Sequence, residues 1–305
     1  MISIVEKKVP SSDGIHQLFG KIYRPEGEVR GILQVVHGMN EYIDRYDPFL
    51  RAMAQAGILA FGFDNLGHGN TARDRLELGF LAEKDGWKHL LQDVRLFSDA
   101  VREEYGNTLP YDLMGHSMGS FIVRCAVLCE VHPRRLIVMG TGGPEPAATA
   151  GMLLADGIAK IYGKRHVSPL LKHLIFGDYD KKFKETYPYS WLSVDTENLK
   201  KYQNDPFCTF SFTASALGDL IRLNRLANSK DFFRGVSDDL PILLLSGKDD
   251  PVGNYGKGVC SVHRRLLKEG KNAKIRLYEG YRHEILNDYC REEVTRDILD
   301  FLSAP

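Results

Sequence analysis

The pentapeptide Gly-His-Ser-Met-Gly at residues 115–119 constrains the fold of this chain more than any other segment. It overlaps the end of an apolar run, residues 111–117, and precedes a helical pattern at residues 121–132. A G-x-S-x-G sequence in this setting is typical of a sharp strand-to-helix turn. Such a turn crowds the positions two before and two after the serine, where only glycine fits. The segment therefore predicts a strand, a tight turn and a helix, with Ser117 raised above the sheet edge.

The rest of the chain alternates short apolar runs with longer amphipathic stretches, which is typical of a mostly parallel sheet covered by helices. Continuous apolar runs favour central strands buried on both faces, and two N-terminal segments predict edge strands. The central strands are predicted at 31–38, 58–64, 111–117, 135–140, 241–247 and 273–280, and the edge strands near 2–9 and 16–24. Helices are predicted at 46–57, 87–106, 121–132, 257–270 and 291–302.

The alternation is interrupted once, after the strand at 135–140. A structureless connection of nearly a hundred residues is uncommon in a compact domain, and parts of this segment have helical patterns. Those patterns cover residues 150–163, 196–205 and 212–224. We therefore predict a helical cap at residues 144–235, inserted in a core formed by residues 1–143 and 236–305.

The composition indicates which classes of partner and which cellular compartment to expect. Forty basic and forty acidic residues among 305 give no reason to expect nucleic acid as a partner, and nothing in the sequence indicates the oligomeric state. The N-terminus lacks the apolar stretch of a signal peptide, and no run reaches the length of a membrane span. The scattered cysteines predict buried free thiols in a reducing compartment, and hence a cytoplasmic location. They are Cys125, Cys129, Cys208, Cys260 and Cys290.

Ser117 is the predicted nucleophile, and a serine hydroxyl needs a base that an acid orients. After a G-x-S-x-G turn, the acid and then the histidine follow along the chain, each just after a strand. Of the ten histidines, only His263 and His283 come after the last candidate acid. His263 lies within a predicted helix among basic residues, so His283 is the predicted base.

The acid is one of two neighbouring residues, Asp249 and Asp250, which follow the strand at 241–247. Only one of them can face His283. The usual Gly-x-x-Asp spacing from Gly247 favours Asp250, while Asp249 stays open as the alternative.

Backbone amides are predicted to complete the site. The amide of Met118, at the N-terminus of a helix, is placed to stabilise an oxyanion, and the amide of Met39 is the candidate from the loop after an early strand. His37 is predicted to hold that loop, and residues 64–69 to form a scaffold turn. No spacing of His, Cys and Asp indicates a metal site, and no cofactor is expected.

Five segments together resemble the lysophospholipase and monoacylglycerol-lipase-like α/β-hydrolases. They are residues 37–46, 63–69, 115–120, 246–253 and 281–288. The resemblance implies an α/β-hydrolase fold with a mostly parallel eight-stranded sheet flanked by helices, and a helical cap over an acyl pocket. It also implies a triad of Ser117, Asp250 and His283, with the amides of Met39 and Met118 as the oxyanion hole.

The predicted function is hydrolysis of carboxylic esters with a hydrophobic acyl group, through an acyl-enzyme. A monoacylglycerol, a lysophospholipid or a simple aliphatic ester is the expected substrate. Two alternatives stay open: a proline-iminopeptidase-like peptidase and a catalytically inactive ligand-binding module. A peptidase would need cap carboxylates to hold the substrate amine, and the candidates are Asp156, Asp178, Glu185 and Asp219.

Residues 150–177 mix apolar side chains with four basic ones, Lys160, Lys164, Arg165 and Lys172. One interpretation is transient contact with a membrane surface. The favoured interpretation is that the apolar face packs on the core and the charges are solvated. Four aromatic residues are candidates for lining the acyl pocket: Trp191, Phe207, Phe210 and Phe212.

Overall fold

The computed structural model describes residues 2–177, 179–183 and 187–304. Eight strands form one sheet in the order β1-β2-β4-β3-β5-β6-β7-β8. β2 pairs antiparallel with both β1 and β4, and every other neighbouring pair is parallel. The strands are β1 (Ile2–Pro10), β2 (Gln17–Pro25), β3 (Gly31–Val36), β4 (Ile58–Phe63), β5 (Tyr111–His116), β6 (Arg135–Met139), β7 (Ile242–Gly247) and β8 (Ala273–Tyr278).

The predicted mostly parallel sheet is confirmed, with two differences. β2 is not an edge strand, because it lies between β1 and β4. β8 is not buried on both faces: it forms the other edge of the sheet, and Lys274 and Arg276 on it are solvent-accessible. An edge strand has a neighbour on one side only, so it tolerates these basic side chains.

Helices cover both faces of the sheet. α2 shows why they form where they do: Leu90, Val94, Phe97 and Val101 repeat at helical spacing and are fully buried. The helices are α1 (Asp47–Gln55), α2 (Gly86–Tyr105), α3 (Met118–Ala126), α4 (Ala148–Tyr162), α5 (Pro169–Phe176), α6 (Thr196–Asn204), α7 (Ala214–Ala227), α8 (Lys230–Gly235), α9 (Lys257–Lys268) and α10 (Arg291–Ser303). Among the described residues, no helix is long and apolar enough to cross a membrane.

Between β6 and β7, the described residues form the helices α4 to α8. α4, α6 and α7 correspond to the three predicted patterns. α5 and α8 were not predicted individually, because eight and six residues are too few for a periodic pattern to stand out.

The helix after the pentapeptide differs from its prediction at both ends. α3 begins directly at Met118 and ends at Ala126, rather than covering residues 121–132. Cys129 therefore lies beyond the helix and is exposed, and Cys260 is half-buried, so the prediction of buried thiols is wrong for these two. Cys125, Cys208 and Cys290 are buried, and all five cysteines are free.

Candidate active site

Ser117 occupies the turn between β5 and α3 with φ 53° and ψ −119°, a backbone conformation that a residue with a side chain rarely adopts. The two glycines of the pentapeptide make this turn possible. A Cβ on Gly119 would lie 2.0 Å from the carbonyl oxygen of Val36, and one on Gly115 would lie 2.3 Å from the carbonyl oxygen of Gly119. The serine is thereby held at the N-terminus of α3, where it is partly exposed while its neighbours are buried.

The structure brings His283 and Asp250 into direct contact. His283 Nδ1–H donates to Asp250 Oδ2 over 2.8 Å, and both side chains are almost fully buried. The amide of Val252 donates to the other oxygen, Asp250 Oδ1, over 2.8 Å, which fixes the carboxylate. Asp249 is exposed and takes no part in this contact.

Ser117 and His283 line the same cavity of about 580 Å³, at the carboxyl end of the parallel strands. Most of its wall is apolar and comes from both the sheet side and the inserted helices. The apolar lining includes Met39, Met118, Phe121, Leu154, Leu174, Ile175, Phe176, Leu220, Ile221 and Val252. The polar lining includes Glu41, His116, Tyr179, Tyr202, Asn224 and Glu284.

The loop after β3 lies against the nucleophile turn. A Cβ on Gly38 would lie 2.8 Å from the Cβ of Ser117, so only glycine allows this approach. His37 holds the loop as predicted: its Nε2 accepts from the amide of Asn65 over 2.9 Å, and its Nδ1–H donates to the carbonyl of Gly38 over 2.7 Å. Met39 and Met118 both line the cavity beside Ser117.

A buried ion pair that the sequence did not predict lies under this loop. Glu41 Oε1 accepts from the amide of Gly38 over 2.5 Å, from the hydroxyl of Tyr46 over 2.9 Å and from His116 Nδ1–H over 2.9 Å. Burial alone would raise the pKa of Glu41, but the charge and hydrogen bond of His116 hold it below its usual value. Burial alone would lower the pKa of His116, and Glu41 raises it above its usual value.

A second ion pair adjoins the first. Arg45 Nη2 donates to Glu284 Oε2 over 2.5 Å, and its guanidinium lies 4.9 Å from the ring centre of Tyr202. Asn198 on α6 also donates to Glu284 Oε2, over 2.8 Å. Glu284, Arg45, Glu41 and His116 therefore form a row of alternating charges. All of them except Arg45 line the cavity.

Of the four predicted pocket aromatics, only Trp191 lies in the cavity, with its ring centroid 5.1 Å from that of His283. Phe210 and Phe212 pack instead against His68 in the turn at residues 64–69, and Phe207 packs against Tyr42. These three phenylalanines therefore pack the loop between α6 and α7 against neighbouring segments.

Of the four carboxylates predicted for an amine site, the two that the structure describes do not line the cavity. Asp156 and Asp219 both pair with Arg222, over 3.1 and 3.3 Å, and lie outside the cavity lining. Asp178 and Glu185 lie outside the described residues. Within residues 2–177, 179–183 and 187–304, no group of three or more His, Cys, Asp or Glu side chains could hold a metal ion.

Comparison with known proteins agrees with this architecture. Residues 27–289 match the family described as "Serine aminopeptidase, S33". Rat monoglyceride lipase is 24% identical over 293 residues, which cover 95% of this chain and 86% of the relative. Monoacylglycerol lipase of Mycolicibacterium smegmatis is 24% identical over 286 residues, which cover 92% of this chain and 91% of the relative.

Solved structures include a closer relative. A thermostable carboxyl esterase from Bacillus coagulans is 30% identical, superposes with a TM-score of 0.92 and covers 98% of both chains. A soluble variant of the Saccharomyces cerevisiae monoglyceride lipase, 18% identical with a TM-score of 0.75, shares the fold. The chain belongs to the Serine aminopeptidase S33 family of α/β-hydrolases and is a serine ester hydrolase.

Proposed function

We propose that Ser117, His283 and Asp250 form the catalytic triad of this ester hydrolase. The observation that carries the proposal is the buried 2.8 Å hydrogen bond between His283 and Asp250, in a cavity that Ser117 also lines. Asp250 holds His283 with Nδ1 protonated, so that Nε2 is left to accept the proton of the serine.

The reaction proceeds through an acyl-enzyme. The Ser117 oxygen attacks the ester carbonyl while His283 Nε2 takes its proton, which gives a tetrahedral oxyanion. The intermediate collapses, the C–O bond to the alcohol breaks, and the alcohol leaves with the proton from His283. Water then attacks the acyl-enzyme with His283 again as base, the carboxylic acid is released, and Ser117 regains its proton.

The amides of Met39 and Met118 stabilise the oxyanion in this proposal. Met118 is the first residue of α3, so its amide is not used within the helix and lies at the positive end of the helix dipole. Met39 lies in the loop that Gly38 brings against Ser117. Donors fixed in place before the reaction stabilise the developing charge without reorganisation.

The proposed substrate is a monoester of a long acyl chain with a small polar alcohol, of which a monoacylglycerol is the leading candidate. The apolar side chains from Phe121, Leu154 and Ile175 suit an acyl chain, and the polar end near Glu284 and Tyr202 suits hydroxyl groups. Relatives named monoglyceride lipase support this choice. Lysophospholipids and simple aliphatic esters are the competing substrates.

A substrate series with one variant tests the proposal. Purified protein is assayed on monoacylglycerols, lysophospholipids and p-nitrophenyl esters of increasing chain length, and on prolyl-naphthylamide for the peptidase alternative. We expect the highest kcat/KM on monoacylglycerols and loss of all turnover and of fluorophosphonate labelling in Ser117→Ala. Retained esterase activity in this variant would overturn the triad, and faster turnover of lysophospholipids would overturn the substrate.

The structure favours the ester over the peptide substrate. Three carboxylates line the cavity. Glu41 and Glu284 are buried and already paired with His116 and Arg45, whereas Glu145 is exposed and accepts from the amide of Ala147. A substrate ammonium group would have to compete with these cations, whereas a hydroxyl group would not. An aminopeptidase needs carboxylates whose charge is available to the substrate.

We further propose that residues 144–235 act as a cap over the site and that the cap contacts lipid surfaces transiently. α4 and α5 supply Leu154 and Leu174 to the cavity wall while exposing other apolar side chains to solvent. The expectation that the apolar face packs on the core is wrong for Leu153, Ile161 and Leu170, which are exposed. Lys160 and Lys172 lie exposed on the same two helices, which suits anionic head groups.

A further inference from the structure

We infer that Glu41 and His116 are positioning residues of the reaction. They act as one ion pair that holds three segments in their relative positions. These are the loop that carries Gly38 and Met39, the turn at Ser117, and the loop that carries His283. The inference rests on the proposed triad and deepens it. Neither residue was singled out by the sequence, because they are 75 positions apart and only the fold brings them together.

The surroundings of His116 define its proton content. Nδ1 lies 2.9 Å from the carboxylate oxygen Oε1 of Glu41, and Nε2 lies 3.2 Å from the backbone carbonyl oxygen of His283. Neither of these two partners can donate. The hydroxyl oxygen of Tyr46 also lies 2.8 Å from Nδ1, and when its hydrogen is donated to Glu41 both ring nitrogens carry a proton. His116 is then an imidazolium, in agreement with the raised pKa that Glu41 confers on it.

The other contacts of the pair lead to the three catalytic segments. Glu41 accepts a hydrogen bond from the amide of Gly38, the residue directly before the proposed oxyanion donor Met39. Through its own backbone, His116 is joined to Ser117. Through Nε2, it binds the carbonyl of His283, and the two imidazole rings lie with centroids 4.7 Å apart.

The hydroxyl of Tyr46 contacts both members of the pair: it donates to Glu41 Oε1 over 2.9 Å, and its oxygen lies 2.8 Å from His116 Nδ1. All these groups are buried, so water does not replace a lost bond. These contacts fix the position of the proposed oxyanion donor Met39, of Ser117 and of His283. The position of these groups affects the transition state most, because the oxyanion forms there and His283 receives the proton of Ser117. Loosening these contacts is expected to lower kcat and to leave KM nearly unchanged.

Three single variants of the pair, the double variant Glu41→Gln/His116→Ala and one control are assayed on a water-soluble p-nitrophenyl ester. Glu41→Gln keeps the acceptor oxygen but removes the charge, and His116→Ala removes both ring donors. His116→Asn places one donor at the position of Nδ1, so it is expected to restore part of the rate lost in His116→Ala. Gln34→Met is the matched control, because Gln34 is equally buried and hydrogen-bonded to Val94 and Tyr111 but lies away from the cavity.

We expect Glu41→Gln and His116→Ala to lower kcat by about 10- to 100-fold with KM within about twofold, and the double variant to lose no more than the worse single variant. Gln34→Met is expected to lower the Tm with kcat unchanged. Equal kcat in wild type and Glu41→Gln, or additive losses in the double variant, would overturn the inference. If Ser117→Ala retained activity, the proposed triad would fail instead, so the two failures are distinguishable.

Discussion

At the scale of single residues, the site depends on a strained serine. A φ of 53° at Ser117 costs on the order of 1–3 kcal/mol for a residue with a side chain. Backbone hydrogen bonds hold the turn in place: the amide of Ser117 donates to Met139 over 3.0 Å, and its carbonyl accepts from the amide of Ser120 over 2.9 Å. The strain is maintained by the sheet and by α3 together, which is why the motif functions only between a strand and a helix.

The two neighbouring aspartates give a matched test of the proposed acid. Asp250→Asn is expected to lower kcat by about 10²- to 10⁴-fold, because an amide at this position favours the wrong tautomer of His283. Asp249→Asn should leave kcat within about twofold, because that side chain is exposed. Steady-state kinetics on a p-nitrophenyl ester measure both. Equal losses in the two variants would contradict the assignment.

Residues that follow predicted strands could be found from the sequence. Ser117, Asp250 and His283 each come just after an apolar run, and parallel strands bring their carboxyl ends to one edge of the sheet. The pair formed by Glu41 and His116 could not be found in this way, because a buried ion pair has no periodic pattern and depends on contacts between distant segments. These site assignments stay predictions until the variants are measured.

At the scale of elements, the strands were predictable and the helices of the insertion were only partly so. A strand in a parallel sheet is a continuous apolar run, which is why the start and end of β3 to β7 were predicted to within two residues. The insertion has fewer buried positions, so its apolar residues follow no single face. On α4, Leu153 and Ile161 are 63% and 76% exposed, which periodicity alone would have placed against the core.

We expect these two exposed side chains to contribute to the proposed binding of lipid surfaces. Leu153→Ser combined with Ile161→Ser should lower binding to vesicles of phosphatidylcholine and phosphatidylglycerol several-fold, because apolar burial in the bilayer interface is lost. Turnover of water-soluble esters should not change, since neither residue lines the cavity. Cosedimentation with the vesicles measures the binding.

The control for this prediction changes equally exposed apolar residues outside the insertion. Ile15 and Leu76 are 61% and 87% exposed, and Ile15→Ser with Leu76→Ser removes comparable apolar surface. This double variant should bind vesicles like the wild type. A loss as large as that of the α4 variant would show that general surface hydrophobicity, and not the insertion, carries the binding.

At the scale of the whole molecule, buried carboxylates attach the N-terminal hairpin of β1 and β2 to the rest of the fold. The turn of the hairpin binds α2 through Asp93, which accepts from the hydroxyl of Ser11 over 2.8 Å and from the amide of Ser12 over 2.7 Å. It also contacts Glu77, whose Oε2 lies 3.1 Å from His16 Nε2. The edge strand β1 is thus held in place by polar contacts as well as by its ladder with β2.

Glu77 makes part of this attachment sensitive to acid. Burial alone would raise its pKa, but hydrogen bonds from Arg73 and His16 lower it to about 2, from a usual value of 4.5. A carboxylate whose pKa is lower in the folded state stabilises the fold above pH 4.5, and this contribution is lost as the pH falls towards 2. Wild-type protein should therefore lose unfolding free energy across this range.

At pH 7, Glu77→Gln is expected to have a lower free energy of unfolding than the wild type. The difference in this free energy should become smaller as the pH falls from 4.5 to about 2, because the wild-type carboxylate then also becomes neutral. Urea unfolding at several pH values measures the difference directly. Glu28→Gln serves as the control, because Glu28 is an exposed side chain between β2 and β3 and should give a small difference at every pH. A difference for Glu77→Gln that stayed constant from pH 7 to pH 2 would mean that Glu77 stabilises the hairpin by packing alone, without its charge.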